Sequence, residues 1–342
     1  MSSNIQSRAL EGLTVLDLTR LLPGAVATQY LADRGATVIK IEQPGAGDYG
    51  RTLSPEVFAR TNAGKKSMTL DLKRTGDRAV LLALVKTADI LIEGFRPGVM
   101  ARLGLDYETL RAFNPRLIYV SLSGYGQHGP MAGAAGHDIN YIAMGGLLDL
   151  NLPVIPGIQI GDLVGGSMQS VTGILLALLE RQTTGSGQFI DVSMTAGVEA
   201  LLEIPLAAHR SGGRTAAMLT GRYACYNVYQ AQDGRWLAVG ALEAKFWAVL
   251  CWELGCTDLI PLQFDETRQS EVKARVAAMF AMRSAAEWFE KLRTTDACVT
   301  PVRTVAEVAQ DLPERFTRAP VPQLGEHTTE ILAQLKRSGA IP

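Results

Sequence analysis

The sequence predicts an α/β fold, with a large domain built on a parallel sheet and a smaller α+β domain after it. Three observations carry this. Short apolar, β-branched runs alternate with helical patterns through the first half of the chain, the signature of βαβ units. After about residue 212 the texture changes to two β-like runs joined by a tight turn, then amphipathic helices. The 342 residues are too many for one small domain and suit two, or one large domain with an insertion.

Taken in order, LTVLDLT (13–19) is a buried strand. LLPGAVATQYLADRGA is the helix after it, with Pro23 and Gly24 at its opening and Gly35 at its stop. TVIKIE (37–42) and KSMTLDL (66–72) are the next strands, and DRAVLLALVKTA is a helix. ADILIEGF (88–95) and PRLIYVSLSGYG (115–126) are strands again. VTGILLALLE is a buried helix; glycines crowd its start and Asp162 lies just before it. QFIDVSM (188–194) is strand-like and TAGVEALLEIPLAAH helical. YACYNVYQA and RWLAVGA, with Asp233-Gly234 between them, make a hairpin. Two amphipathic helices come next, around 245–254 and 269–292, and a Pro-rich stretch leads to the closing TTEILAQLKRSGAIP.

A doubly wound sheet binds ligands beyond the carboxyl ends of its strands. Those ends are Thr19 to Pro23, Gln43 to Arg51, Gly94 to Gly98, and Gly124 to Asp138. GAGDYG (45–50) fits the G-x-G-x-x-G dinucleotide pattern, but that pattern works only where a helix opens within it. The residues after it include Pro55 and show no steady apolar period, so the stretch reads as a Gly-rich loop.

Composition narrows the function. Hydrophobic residues are 47% and charged residues 20%, enough for a sizeable core. Thirty-three Lys and Arg against 34 Asp and Glu leave a net charge of -1, without the strongly basic balance of a nucleic-acid binder. Cys225, Cys251, Cys256 and Cys298 lie apart, with no CxxC pair. Neither a metal site nor a disulfide framework is expected, only reduced thiols in a cytoplasmic protein. MSSNIQSRALEG carries no apolar signal segment, and no apolar run is read as approaching the ~18 residues of a membrane helix.

GHDINY (136–141) places two proton-carrying groups, His137 and Asp138, side by side. A histidine suits removal of a proton from carbon, because its pKa of ~6.5 lies near working pH. A carboxylate suits the task if burial raises its pKa. Inverting a carbon centre needs removal on one face and delivery on the other, so two facing groups are the natural arrangement. His137 and Asp162, each in a Gly-flanked loop, are such a pair in principle. The alternatives are a loop histidine for His137, a local loop-holding role for Asp138 and a helix N-cap for Asp162. His128 sits in a turn, and His209 and His327 have no supporting context.

The chain resembles the family III CoA-transferase superfamily and, within it, the alpha-methylacyl-CoA racemases. The resemblance rests on GLTVLDLTRLLPG with GATVIKIEQPGAGD, TLDLK, ADILIEGFRPGVMARLGLDYETL, NPRLIYVSLSGYGQHGP, GHDINY, GDLVGGSM, GSGQFIDVSM and DGRWLAVGALEAKFW. It implies a Rossmann-like large domain, 1–205 plus 315–342, with a small α+β domain, 213–311, inserted through linkers 206–212 and 312–314. It implies an interlocked homodimer, with the active site between one chain's large domain and the other's small domain. By resemblance His137 and Asp162 are the two Cα bases, Glu243 of GALE supports the histidine across the interface, and Asp138 orients the loop or binds the thioester region. In the superfamily's transferases the matching Asp162 is instead the nucleophile; those resembling formyl-CoA transferase lack the histidine and carry a glycine run that LTGRYACYNVY does not have. A non-catalytic acyl-CoA-binding protein is the reading from another class.

The resemblance also implies that coenzyme A enters as part of the substrate, with no prosthetic group, metal, membrane or nucleic-acid partner. Its expected contacts are Leu22 and Pro23, Lys40, Leu70, Asp71, Leu72 and Lys73 of TLDLK, Gly94, Phe95 and Arg96 of EGFRPG, Arg102, and Tyr141. Backbone N–H groups at Gly165 to Ser167 are the expected donors to an enolate oxygen. Two departures stand out. Gln43 replaces an arginine that reaches the CoA nucleotide, with Lys40, Arg51 or Lys73 as substitutes, and GRYACY (221–226) replaces a GGAPxY-like stretch near the acyl pocket.

Overall fold

The computed structural model describes residues 8–210, 218–311 and 319–342. The chain divides into two compact units, Met1–Leu202 with Arg315–Pro342, and Glu203–Glu314. The first holds six strands: β1 Thr14–Leu18, β2 Thr37–Glu42, β3 Lys66–Thr69, β4 Ile90–Glu93, β5 Ile118–Ser123 and β6 Phe189–Ser193. Their order is β3-β2-β1-β4-β5-β6, and every neighbouring pair is parallel. The expected parallel sheet is present.

A parallel sheet needs cover on both faces, and the apolar runs supply it. Leu16, Ile39, Leu91 and Tyr119 point to one face, under Leu81, Leu84 and Leu110. Ile331 and Leu335 of the closing helix Thr328–Arg337 join that cluster. The tail is pinned beside β3: His327 N donates to Ser67 O at 2.9 Å, and Thr69 N donates to Thr328 Oγ1 at 3.0 Å. Val15, Val38, Ile90 and Val120 point the other way, against Leu31 of helix Leu22–Ala32 and Ile174 of helix Gln169–Thr184. Strand order reverses between β1 and β4, so a crevice opens beyond their carboxyl ends.

Three expectations are corrected here. Residues 161–168 are not a loop before a helix. They form a π-helix, Gly161–Met168, that runs straight into Gln169–Thr184. Glycine makes this possible: a Cβ on Gly165 would sit 2.3 Å from Met194 O, and one on Gly197 would sit 2.4 Å from Gly165 O. The continuous helix, 24 residues with a mean hydropathy of 1.4 in its most apolar window, reaches the length and composition of a membrane span. One side of it nevertheless packs on the sheet through Ile174, Ala177 and Arg181, and Arg181 pairs with Asp89 at 3.0 Å. Residues 206–210, expected to begin a linker, belong to helix Glu203–Arg210. Residues 211–212 and 312–314 lie outside those described.

The second unit has a three-stranded antiparallel sheet, β7 Tyr226–Gln230, β8 Trp236–Gly240 and β9 Val299–Pro301. Its hairpin turns at Gly234, φ 77°. Trp247, Phe280 and Trp288 fill its core. The expected helix 269–292 is two helices, Gln269–Phe280 and Ala285–Leu292. Ser284 starts the second by a capping box, its N–H donating to Glu287 Oε2 at 2.9 Å and its hydroxyl accepting from Glu287 N at 3.3 Å.

Candidate active site

Beyond β1, β4 and β5 lies a cavity of about 860 Å³, a size suited to a small-molecule ligand. His137, Asp162 and Tyr141 line it, with Leu22, Pro23, Gly94, Phe95 and Arg96. A smaller cavity, about 180 Å³, is lined by Leu70, Asp71, Leu72 and Lys73. The two share Thr19, Arg20 and Phe95, so the expected substrate residues from TLDLK, EGFRPG and GHDINY border adjoining spaces. Arg102 lines neither; it is exposed on helix Val99–Leu103, its guanidinium folded over Gly98. Glu243 lies in the second unit, exposed ahead of helix Ala244–Leu254.

His137 is the N-cap residue of helix Asp138–Met144, with extended backbone at φ −127°. Its N–H donates to Asn140 Oδ1 at 3.1 Å. One residue earlier, Gly136 O accepts from Tyr141 Oη at 2.5 Å. Tyr141 stands edge-on to Tyr125, ring centroids 5.3 Å apart. Glycine is required around these rings: a Cβ on Gly124 would meet Tyr141 at 2.3 Å, and one on Gly136 would meet Tyr125 Oη at 2.8 Å. The histidine's loop is thus fixed by two tyrosines and two glycines.

Asp162 sits in the first turn of the π-helix, a geometry that recurs at functional sites. Its N–H donates to Asp138 Oδ1 at 2.9 Å. Ser167 Oγ ties the same turn to the β1 loop, donating to Pro23 O at 2.6 Å. The Asp162 carboxylate has no hydrogen bond to protein among the described residues. Burial first, and the Asp138 charge second, push it up to about 6; His137 pulls the other way. That places it near the working range of a general acid–base. The pairing suggested by adjacency, His137 with Asp138, is replaced by one in which Asp138 holds the backbone of Asp162. The expected donors at Gly165 to Ser167 are corrected too. They lie inside the π-helix, where N–H groups are committed to the helix itself.

Lys40 does not reach a ligand. It is fully buried, with Nζ 2.8 Å from Asp48 Oδ2 and 3.0 Å from Thr19 O. Burial works against its charge, but Asp17 and Asp48 outweigh it and hold the ammonium protonated. Asp48 in turn accepts from Leu21 N at 3.1 Å and from Gly50 N at 2.9 Å. Asp17 accepts from Thr19 Oγ1 at 2.6 Å and from Lys65 Nζ at 3.3 Å. This buried network clamps the Thr19–Leu21 turn, where Leu21 carries φ 61°, a conformation that costs a non-glycine residue about 1–3 kcal/mol. The GAGDYG loop therefore serves the network, with Asp48 also accepting from Gly50 N at the start of the next helix. Arg51 is also spent, on Glu42 at 2.7 Å and Pro322 O at 3.0 Å. The cation that stands near Gln43 is Arg20. It lies over the rings of Tyr49 and Phe95, at 5.2 and 5.7 Å, with Nη2 3.5 Å from Gln43 Oε1. Arg20 lies within Thr19 to Pro23, the strand end expected to meet a ligand, but it is not among the cations expected to stand in for the arginine at position 43.

The protein is thus an α/β protein with a cavity at the carboxyl ends of a parallel sheet, lined by His137 and Asp162. The profile of CoA-transferase family III matches residues 10–330, and the chain belongs to that family. It is 37% identical to an alpha-methylacyl-CoA racemase of Homo sapiens, over 95% of this chain and 93% of the relative. It is 39% identical to an acetyl-CoA:oxalate CoA-transferase of Acetobacter aceti, over 90% of this chain and 84% of the relative. Among solved structures, a CAIB/BAIF family protein from Brucella suis superposes with a TM-score of 0.82 at 29% identity, covering 96% of this chain and all of that one.

Proposed function

We propose that the chain is an acyl-CoA racemase or epimerase. It inverts the α-carbon of a 2-methylacyl-CoA-like thioester by proton transfer between His137 and Asp162. One observation carries this reading. His137 and Asp162 line the same cavity, close enough for the histidine to bear on the carboxyl's titration, and that carboxyl is raised to about 6. One group takes the α-proton as the conjugate acid of the other returns one to the opposite face. The α-proton is far less acidic than either conjugate acid, so the thioester oxygen needs donors as charge develops.

In this reading coenzyme A arrives with the substrate and no prosthetic group takes part. Its nucleotide lies against Leu70 to Lys73, and its pantetheine arm passes Leu22, Pro23 and Gly94 to Arg96, with Arg20, Arg96 and Lys73 as cationic contacts. The protein works as an interlocked homodimer in the cytoplasm, the small domain inserted in the large one. Glu243 of the partner subunit supports His137. Leu176 and Leu179 on the long helix, and Leu152, Val154 and Ile155 nearby in sequence, are all more than half exposed; such an apolar surface suits burial by a second chain.

The transferase reading, with Asp162 as nucleophile, is favoured by the likeness to the oxalate CoA-transferase. Incubating one enantiomer of a 2-methylacyl-CoA with the protein in heavy water separates the two. Deuterium at the α-carbon with loss of chirality is expected. CoA passing to a free acid, through a hydroxylamine-sensitive Asp162 and without exchange, would establish the transferase instead.

A further inference from the structure

Charge gathers on the thioester oxygen once the α-proton leaves, and a donor already in place stabilises it best. Several polar side chains that border the larger cavity are spent within the protein. Thr19 Oγ1 donates to Asp17 Oδ1 at 2.6 Å, Thr61 Oγ1 to Val57 O at 2.9 Å, Asn62 Nδ2 to Phe58 O at 3.0 Å, and Tyr141 Oη to Gly136 O at 2.5 Å. Tyr125 differs. It borders the same cavity, half-buried, and its hydroxyl has no hydrogen-bond partner among the described residues. Nor is that oxygen closed off. Among the described residues, the unpartnered side-chain atoms sealed from solvent belong to Gln29, Ser123, Gln127 and Ser170.

The phenol is held in place. Tyr125 lies two residues past β5, at the carboxyl end of the sheet. Its ring stands edge-on to Tyr141, centroids 5.3 Å apart. Its Oη lies against Gly136, where a Cβ would come within 2.8 Å. The glycine just ahead of His137 thus leaves room for the hydroxyl. Asp162 acts on the same neighbourhood. Burial first, then the Asp162 charge and Tyr125, push the Tyr141 hydroxyl up to about 12. Gln159 borders the cavity too, but it is exposed, and a free side chain must lose entropy before it can donate. A phenol set between a ring and a glycine is already ordered.

We infer that Tyr125 is a catalytic residue whose phenol donates a hydrogen bond to the thioester oxygen and stabilises the charge that develops there. One of His137 and Asp162 takes the α-proton. The C–H electron pair forms the double bond of the enolate, and the carbonyl π pair moves to oxygen. Tyr125 donates to that oxygen and keeps its own proton. The other member of the pair, protonated at the outset, gives its proton to the opposite face of the α-carbon, and the carbonyl re-forms. The inference rests on the racemase reading above and supplies the donor that reading requires.

The test is Tyr125→Phe, which keeps the ring against Tyr141 and removes only the oxygen. With a 2-methylacyl-CoA in heavy water, kcat for deuterium incorporation is expected to fall by tenfold or more, toward the roughly hundredfold loss of a missing oxyanion donor. KM, and the Kd for CoA by calorimetry, should change by less than about twofold, because the bond strengthens only as charge develops. The ligand-free variant should melt with the wild type, since the fold makes no use of the hydroxyl. A fall in kcat of less than about tenfold overturns the inference, because another group then meets the oxygen. A rise in KM or Kd with kcat unchanged overturns it by making Tyr125 a binding residue alone. A lower melting temperature of the ligand-free variant overturns it by showing a structural role for the hydroxyl. Each of these leaves the racemase reading standing while the wild type exchanges. If the wild type exchanges no α-proton, the racemase reading fails and the inference falls with it.

Discussion

Asp162 holds a charge that the fold does not satisfy, and replacing it with asparagine should reveal the cost. In the folded chain its carboxyl is pushed from an ordinary 3.8 to about 6, by burial first and Asp138 second. The folded state thus keeps a proton that the unfolded state has released, over the interval between those values. The sign follows. This group's contribution is most favourable below about pH 4 and is lost as pH rises through about 6. Across that interval the loss is about 2–3 kcal/mol, allowing for the carboxyl's partial access to solvent. An asparagine in its place would have no such slope, and the change removes no hydrogen bond to the described residues, since the carboxylate makes none to them. Asp162→Asn should therefore be more stable than the wild type by about 2–3 kcal/mol at pH 7–8, and nearly equal at pH 3. Urea unfolding of both proteins at several pH values measures the difference directly. A variant no more stable than the wild type at pH 8, or a gap that widens as pH falls, would refute the reasoning. The carboxylate would then be solvated or paired. The same substitution should abolish α-proton exchange, so stability and activity move in opposite directions, as expected of a group kept for chemistry.

Three further outcomes are expected. Asp138→Asn keeps an oxygen for the Asp162 N–H but removes the like charge. The Asp162 carboxyl then falls, and the acid limb of the exchange pH–rate profile moves to lower pH; an upward shift would contradict the assignment. Lys40→Met leaves Asp17 and Asp48 buried without their shared cation and should cost about 3–5 kcal/mol in urea unfolding; a loss under about 1 kcal/mol would mean the pair is solvated. Arg20→Ala removes the cation shared by both cavities and should weaken CoA binding roughly tenfold or more by calorimetry. Arg20→Lys should not restore it fully, because an ammonium cannot lie flat over Tyr49 and Phe95.

Much of the fold is legible in the sequence because its signals are local. TVIKIE and IYVSLS are strands by their own apolar runs, and Asp233-Gly234 is a turn by its own backbone preference. Ser284 escapes notice as a helix start inside 269–292, since the flanking helices share one amphipathic pattern and only the capping box divides them. The onset of the long helix is hidden for another reason. GDLVGGSM looks too rich in glycine for a helix, yet those glycines permit a π-helix pressed against Met194. At the site, residue types point to His137 and Asp162, but not to what surrounds them.

The sequence alone determined the alternation of strands and helices, the strand ends that border the cavities, and a histidine and an aspartate of types suited to proton transfer. Those follow from periodicity and side-chain chemistry, which each segment carries by itself. Only the tertiary structure decided that Asp138 grips the backbone of Asp162, and that Lys40 faces inward while Arg20 faces the cavities. Burial and pairing set charge and hydrogen bonding, and both depend on residues brought together from distant parts of the chain.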